Sequence, residues 1–226
     1  MFTVIFENNH FIIIDKQPGI GFHNDNQESG IFTQLKEHLR IDLLYPVHRL
    51  DKATSGLLIF AKDKETAAEL GKLFETKQID KFYLAISAKR PAKKQGTIKG
   101  DMSRSRRGSW KLNMSFKSPA ITQFFSYPIQ SGVRLYLIRP ITGKTHQIRV
   151  ALKSIGAPIC GDPIYSSDSK KYDRTYLHAF ALHFSLKGKK YDFKCIPTYG
   201  VLFLGAEFHQ ALSNLPDLMT IKWPRV

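Results

Sequence analysis

The sequence predicts an α+β fold: a single domain spanning residues 1–226, with a mixed, largely antiparallel sheet flanked by helices. Three observations carry that expectation. Several β-rich runs come in pairs around turn-prone residues. Helical stripes are few and short. No repeat with a period of roughly 20–50 residues and no low-complexity linker divides the chain. A chain of 226 residues buries roughly 70–75% of its unfolded surface, which removes any need for disulfide staples.

The elements follow in order. Residues 4–6 and 11–15 flank Glu7-Asn8-Asn9 and read as a hairpin. Lys16-Gln17-Pro18-Gly19 breaks the second strand. Ile31, Leu35 and Leu39 form an i, i+4, i+8 stripe that predicts a helix over 31–40, with Ser29 available near its start. Residues 46–62 (PVHRLDKATSGLLIFAK) begin polar, turn at Ser55-Gly56 and run into an apolar stretch suited to a buried strand. Asp63 is placed to cap a helix carrying Ala67, Leu70, Leu73 and Phe74. Residues 81–87 alternate as a strand, and residues 121–127 and 133–139 read as strands around Ser131-Gly132. A helix starting at Thr145 carries Ile148, Ala151, Leu152 and Ile155 and stops at Gly156. Residues 176–186 and 190–196 make a last hairpin, and the tail from Gly205 offers one short helix.

Charge narrows the function. The 34 Lys and Arg against 19 Asp and Glu leave +15, and the isoelectric point is near 9.8. Such a surface attracts polyanions, of which nucleic acid is the commonest in a cell. Ten of the cations fall within residues 88–117 beside one acid, Asp101, with glycines, serines and Trp110 among them. That segment reads as a basic loop or loose hairpin. Hydrophobic content of 42% with 23% charged residues excludes global disorder. The first residues, MFTVIFENNH, lack the basic and long apolar parts of a secretory signal, and no apolar run nears the ~20 residues of a membrane helix, so a cytoplasmic protein is expected. Cys160 and Cys195 lie in unrelated contexts and the eight histidines are scattered, which suggests neither a disulfide frame nor a metal site.

Four residues offer chemistry. Asp51 lies between His48-Arg49 and Lys52, whose cationic character favours a carboxylate able to act as nucleophile or general base. On local spacing alone it reads equally as a surface-turn acid paired with Arg49. Tyr83 shares a strand face with Lys81 and Ala85, and by itself fits a half-buried sheet tyrosine. A helix beginning at Thr145 would present His146 and Arg149 from its first turn, a good place for anion contact, or for a merely solvated face.

Taken together, the segments resemble one family. HRLDKATSGLLIFAK resembles the signature of the RluA-like pseudouridine synthases, H-R-L-D followed by T-S-G and an apolar strand ending in A-K. KFYLA at 81–85 is similar to the family's K-x-Y-x-A, and RPITGKTHQIRVAL at 139–152 to its R-x-x-T-G-R-x-H-Q-I-R-x-H-L. GAPICGDPIY at 156–165, YLHAFAL at 176–182 and DKQPGIGFH at 15–23 match further motifs in the same order.

The resemblance implies an RNA-binding cleft in the middle of the domain. It implies that Asp51 attacks a flipped uridine, at C1′ or C6, that Tyr83 meets the uracil ring and accepts the C5 proton, and that Arg149 pairs with Asp51. Arg49 would fill the space of the flipped base or brace phosphates, Leu177 would pack in the base pocket, and His48, Lys144, His146 and Gln147 would complete the substrate-binding set. Reaching a uracil inside a helix costs a few kcal/mol of unstacking. The reaction has no redox step, so no cofactor and no metal are expected. The partner is ribosomal or transfer RNA, and a monomer is expected. Lys144 stands where the family has Arg, which keeps the charge and loses the bidentate fork. Ala151 replaces a His, and Gln17 replaces a Pro. Because the motifs begin almost at residue 1, target selection is expected to rest on the catalytic domain and its basic 88–117 insertion. A non-catalytic RNA-binding protein on the same scaffold would use the charge without needing Asp51, Tyr83 and Arg149 together. An aspartate-nucleophile hydrolase would lack a second well-placed carboxylate.

Overall fold

The computed structural model describes residues 1–24 and 28–226. In chain order the strands are β1 (Phe2–Glu7), β2 (Phe11–Lys16), β3 (Tyr45–Pro46), β4 (Ser55–Ala61), β5 (Asp80–Ser87), β6 (Gln95–Arg104), β7 (Trp110–Asn113), β8 (Ala120–Gln130), β9 (Val133–Pro140), β10 (Leu177–Leu186) and β11 (Lys189–Lys194). The helices are α1 (Ile31–Leu39), α2 (Lys64–Glu75), α3 (Gln147–Ser154), α4 (Val201–Leu204) and α5 (Ala206–Ser213). This is the mixed, largely antiparallel α+β arrangement the sequence predicts. The chain divides into two compact units, Met1–Lys81 with His178–Pro197, and Phe82–Leu177 with Thr198–Val226.

In the first unit the strands run β1-β2-β4-β10, with β11 beside β10 and β3 beside β4. All pairs are antiparallel except β4 with β10. Every residue of β4 is buried, which explains why its apolar run does not alternate: it is covered on both faces. Leu57, Ile59 and Ala61 join Phe11, Ile13 and Leu70 of α2 in one core. Phe60 stacks on Phe22 at 5.8 Å and lies 6.2 Å from Phe32 of α1. Asp63 caps α2 as expected, accepting from the Thr66 amide at 2.7 Å. Ser29 does not cap α1; Gly30, which has no side chain to offer, occupies that position, and the Ser29 carbonyl accepts from Gln34 Nε2 at 2.6 Å.

In the second unit the order is β5-β9-β8-β6-β7, all antiparallel. The segment expected as a basic loop or loose hairpin is a paired hairpin, β6 with β7, closed by a 3₁₀ turn at Arg106–Gly108. Helix α3 starts two residues later than expected, because His146 takes a left-handed conformation at φ 56 and cannot continue it. Gly156, at φ +77, ends the helix as predicted. The tail is more than a short helix. Trp223 stacks on Phe82 at 5.7 Å and lies against Phe125 at 5.3 Å, while Thr97 donates to the Arg225 carbonyl at 2.7 Å.

Candidate active site

Asp51 sits in the turn between β3 and β4, closed by the Thr54 amide donating to the Asp51 carbonyl at 3.0 Å. The next carbonyl, Lys52, accepts from the Gly19 amide at 2.8 Å and from Lys16 Nζ at 3.4 Å. Lys16, only 1% exposed, also donates to the carbonyls of Gln17 at 2.9 Å and Ile20 at 3.1 Å. One buried ammonium thus ties the 17–20 turn to the Asp51 turn, its charge met by three carbonyl dipoles. Sequence reasoning treats Lys16 only as a strand breaker. The available signal is a lysine at the end of a strand that opens with four consecutive apolar residues. A cavity of about 650 Å³ adjoins this region, lined by Gly19, His23, Gln34 and Lys52 among others.

His48 anchors the segment from the other side. Its Nε2 accepts from the Ile59 amide at 3.0 Å, and its ring stacks on Phe74 at 4.6 Å. Burial, reinforced by the Lys81 cation, lowers its pKa from 6.5 to about 3. The imidazole is therefore neutral, with its hydrogen on Nδ1. The structure gives His48 an architectural role in place of the substrate contact expected of it. Arg49 is exposed.

At the start of β4, the Ser55 hydroxyl lies 2.7 Å from His178 Nδ1, and His178 Nε2 lies 2.8 Å from the Cys195 carbonyl. Asp15, His178 and Cys195 bring metal-ligand atoms within 4.8 Å of one another. Both imidazole nitrogens already carry hydrogen bonds. Burial, followed by the Asp15 carboxylate, pushes the Cys195 thiol far above its ordinary range. The donor set suits a hydrogen-bonded core better than a cation.

In the second unit, Tyr83 pairs opposite Ile138 and is partly exposed between buried Phe82 and Leu84, the alternation its strand predicts. Leu177 is buried at the start of β10. Lys144 is exposed and donates to Ser118 Oγ at 3.1 Å. His146 Nδ1 lies 2.9 Å from the Tyr165 hydroxyl, which also accepts from the Trp110 amide at 2.8 Å. The basic hairpin is fastened in this way to the cap of α3.

Gln147 and Arg149 are both buried and engaged with protein groups. Gln147 is buried, and its amide is fully engaged by protein. Its Oε1 accepts from Thr142 Oγ1 at 2.7 Å and the Lys144 amide at 3.0 Å. Its Nε2 donates to the Ile121 carbonyl and Thr122 Oγ1, both at 3.0 Å. It pins α3 to β8 and has no capacity left for RNA. Arg149 meets an anion within the protein, the Asp162 carboxylate. It is buried in a bidentate pair with Asp162, Nε to Oδ2 at 2.7 Å and Nη2 to Oδ1 at 2.8 Å, and its guanidinium lies over the Tyr165 ring at 5.1 Å. Asp162 also accepts from the Ile164 and Tyr165 amides at 2.9 and 3.1 Å, so it organises the 162–165 turn. It lies inside the GAPICGDPIY motif, yet nothing local marks it as the partner of a helix residue thirteen positions upstream.

The hairpin presents Arg106, Arg107 and Lys111 to solvent, and Arg104 lies over Trp110 at 5.7 Å. Beyond it, Met114 is 85% and Phe116 55% exposed. Asp101 organises this loop, accepting from Ser115 Oγ at 2.7 Å and from the Lys117 and Ser118 amides at 3.0 and 2.9 Å. Those bonds, the Ser115 one foremost, lower its pKa.

Comparison with known proteins agrees with this arrangement. The family model described as RNA pseudouridylate synthase matches residues 10–154. An uncharacterized RNA pseudouridine synthase of Haemophilus influenzae is 45% identical over 201 residues, covering 89% of this chain and 90% of the relative. The uncharacterized RNA pseudouridine synthase YhcT of Bacillus subtilis is 36% identical, covering 78% of this chain and 61% of the relative. The tRNA pseudouridine(31) synthase of Saccharomyces cerevisiae is 34% identical over 76% of this chain, and the match spans only 48% of the yeast protein. In fold, human RNA pseudouridylate synthase domain containing 1 superimposes with a TM-score of 0.76 at 22% identity, covering 96% of each chain. With a family model spanning well over half of its length and a relative this similar across nearly all of it, the chain belongs to the RNA pseudouridylate synthase family.

Proposed function

We propose that the protein converts specific uridines of ribosomal or transfer RNA to pseudouridine, with Asp51 as the nucleophile on a flipped nucleotide. The Asp51 carboxylate bonds to the nucleotide at C1′ or C6, the bond between N1 and C1′ breaks, the uracil turns, C5 bonds to C1′, and the bond to Asp51 breaks again. The proton leaving C5 passes to the Tyr83 hydroxyl, and a proton ends on N1, so the product is an isomer of the substrate. Arg149, which keeps its bond to Asp162, is the third residue assigned to catalysis. Arg49 and Lys144 serve the phosphates, and Leu177 serves the base pocket. The observation that carries this reading is the Asp51 turn itself, a carboxylate-bearing turn fixed through its main chain by Lys16 and Gly19. The reading includes a cytoplasmic monomer that needs no cofactor. The lack of need for a cofactor follows from the isomerising chemistry, which has no redox step; among the described residues no helix is long and apolar enough to cross a membrane.

The experiment maps pseudouridine in total RNA from cells with and without this gene. The expected result is loss at one or a few sites, restored by the wild-type gene and not by Asp51→Asn. The purified Asp51→Asn protein should bind the identified RNA within a few-fold of wild type, because most affinity comes from phosphate contacts. Restoration by Asp51→Asn would overturn the assignment of the nucleophile.

A further inference from the structure

Ser55 begins β4 four residues after Asp51, with only the closed turn between them. A displacement of the start of β4 therefore passes directly to Asp51. This end of β4 pairs on one side with β2, from Gly56 opposite Lys16 onward, and is held more briefly on the other side. It meets β10 in parallel at two registered positions, His178 with Ser55 and Ala179 with Gly56. Gly56, at φ +107, lies so close to β10 that a Cβ there would stand 2.3 Å from the Ala179 carbonyl oxygen.

The side chains supply a directional lock at this point. The Cys195 carbonyl can only accept, so His178 Nε2 carries the hydrogen. In the neutral ring Nδ1 is then the acceptor, and the Ser55 hydroxyl donates to it at 2.7 Å. Both residues are buried, so neither reaches RNA. The Cys195 amide in turn donates to the Phe180 carbonyl at 2.8 Å, which fixes the far end of the chain of bonds to β10.

We propose that the Ser55–His178 hydrogen bond is a positioning brace that sets where Asp51 stands, a role that rests on the reading of Asp51 as nucleophile. Neither residue touches substrate. Their contribution is to the geometry of attack, where misplacement by about 1 Å costs on the order of a hundredfold in rate.

The test uses the full chain and ribosomal and transfer RNA transcripts carrying tritium at C5 of uracil, which is released when C5 bonds to C1′. Single-turnover rate, RNA affinity and melting temperature are measured for wild type, Ser55→Ala, His178→Asn, His178→Gln and Asp51→Asn, well below every melting midpoint. Ser55→Ala and His178→Gln should lower the rate about ten- to a hundredfold with affinity changed less than about threefold. His178→Asn places an amide oxygen where Nδ1 stood, keeps the acceptor for Ser55, and should retain the rate within about threefold. A wild-type rate for Ser55→Ala, or rates that follow melting temperature and not the presence of the hydroxyl–acceptor bond, would overturn the brace. Turnover by Asp51→Asn would instead overturn the nucleophile reading, and the brace with it.

Discussion

The turn carrying Asp51 and the start of α3 are both polar and both built from family motifs, yet they are held in opposite ways. At the turn the holding groups are mostly main-chain carbonyls and amides, reached from the 15–23 segment by Lys16 and the Gly19 amide, while His48 accepts from the Ile59 amide of its own motif. At α3 the motif side chains do the holding themselves. Gln147 commits all four of its hydrogen-bonding positions, and Arg149 commits two guanidinium nitrogens to Asp162. Residues that look alike in a motif therefore divide by what their hydrogen bonds are used for. In the first region a side chain can change with little harm to the fold, and in the second a change falls on the fold first.

The largest effect that would break this contrast concerns Arg149. Asp162 is 0% exposed, and removing its cation leaves a buried carboxylate uncompensated. Arg149→Met should destabilise the protein by about 3–5 kcal/mol, read as a shift of the urea midpoint, and adding Asp162→Asn should recover part of the loss. A fully stable Arg149→Met would show that this ion pair does not hold the α3 region, and the two regions would no longer differ.

A smaller effect sharpens the other side. His48 has a pKa of about 3 in the folded chain against 6.5 ordinarily. Between those values the unfolded chain binds a proton that the folded chain refuses. The stabilisation is thus complete above about 6.5 and declines by up to about 1.4 kcal/mol per pH unit as the solution is acidified toward 3. His48→Gln should flatten that part of the stability–pH curve. Parallel acid curves for the two proteins would place the imidazole in solvent.

The smallest effect belongs to the exposed cations, which neither region holds. Converting Arg104, Arg106 and Arg107 to Ala should reduce the slope of log K for RNA against log salt by about 1–2 units, at roughly 0.7 per single-strand phosphate, while sparing the chemical step on bound RNA. An unchanged slope would turn the hairpin into solvated surface.

Much of the fold is legible in the amino-acid sequence. The continuous apolar run of β4, the Asp63 cap, the hairpins around Ser131-Gly132 and Lys187-Gly188-Lys189, and the Gly156 stop all follow from local propensity and spacing, and they appear where expected. What is not legible depends on pairs far apart along the chain. Trp223 gains meaning only against Phe82 and Phe125. Lys16 needs the Lys52 carbonyl, and Arg149 needs Asp162. The late start of α3 turns on one left-handed residue, His146, which is neither a glycine nor an asparagine that would announce that conformation. For the candidate site, the motifs nominate the segments, and only the hydrogen-bond partners of Gln147 and His48 show what those two side chains hold in place.

The first unit is assembled from two stretches of chain separated by residues 82–177. Its parallel pairing of β4 with β10 cannot form until the ribosome has released His178, roughly 5–20 s after Lys81 at ordinary elongation rates. During that interval Ser55–Ala61, an uncharged run of high β-propensity, waits without that partner for its first residues. Nascent-chain folding should therefore register in two stages, and β4 is the segment most in need of a chaperone until the second stage arrives.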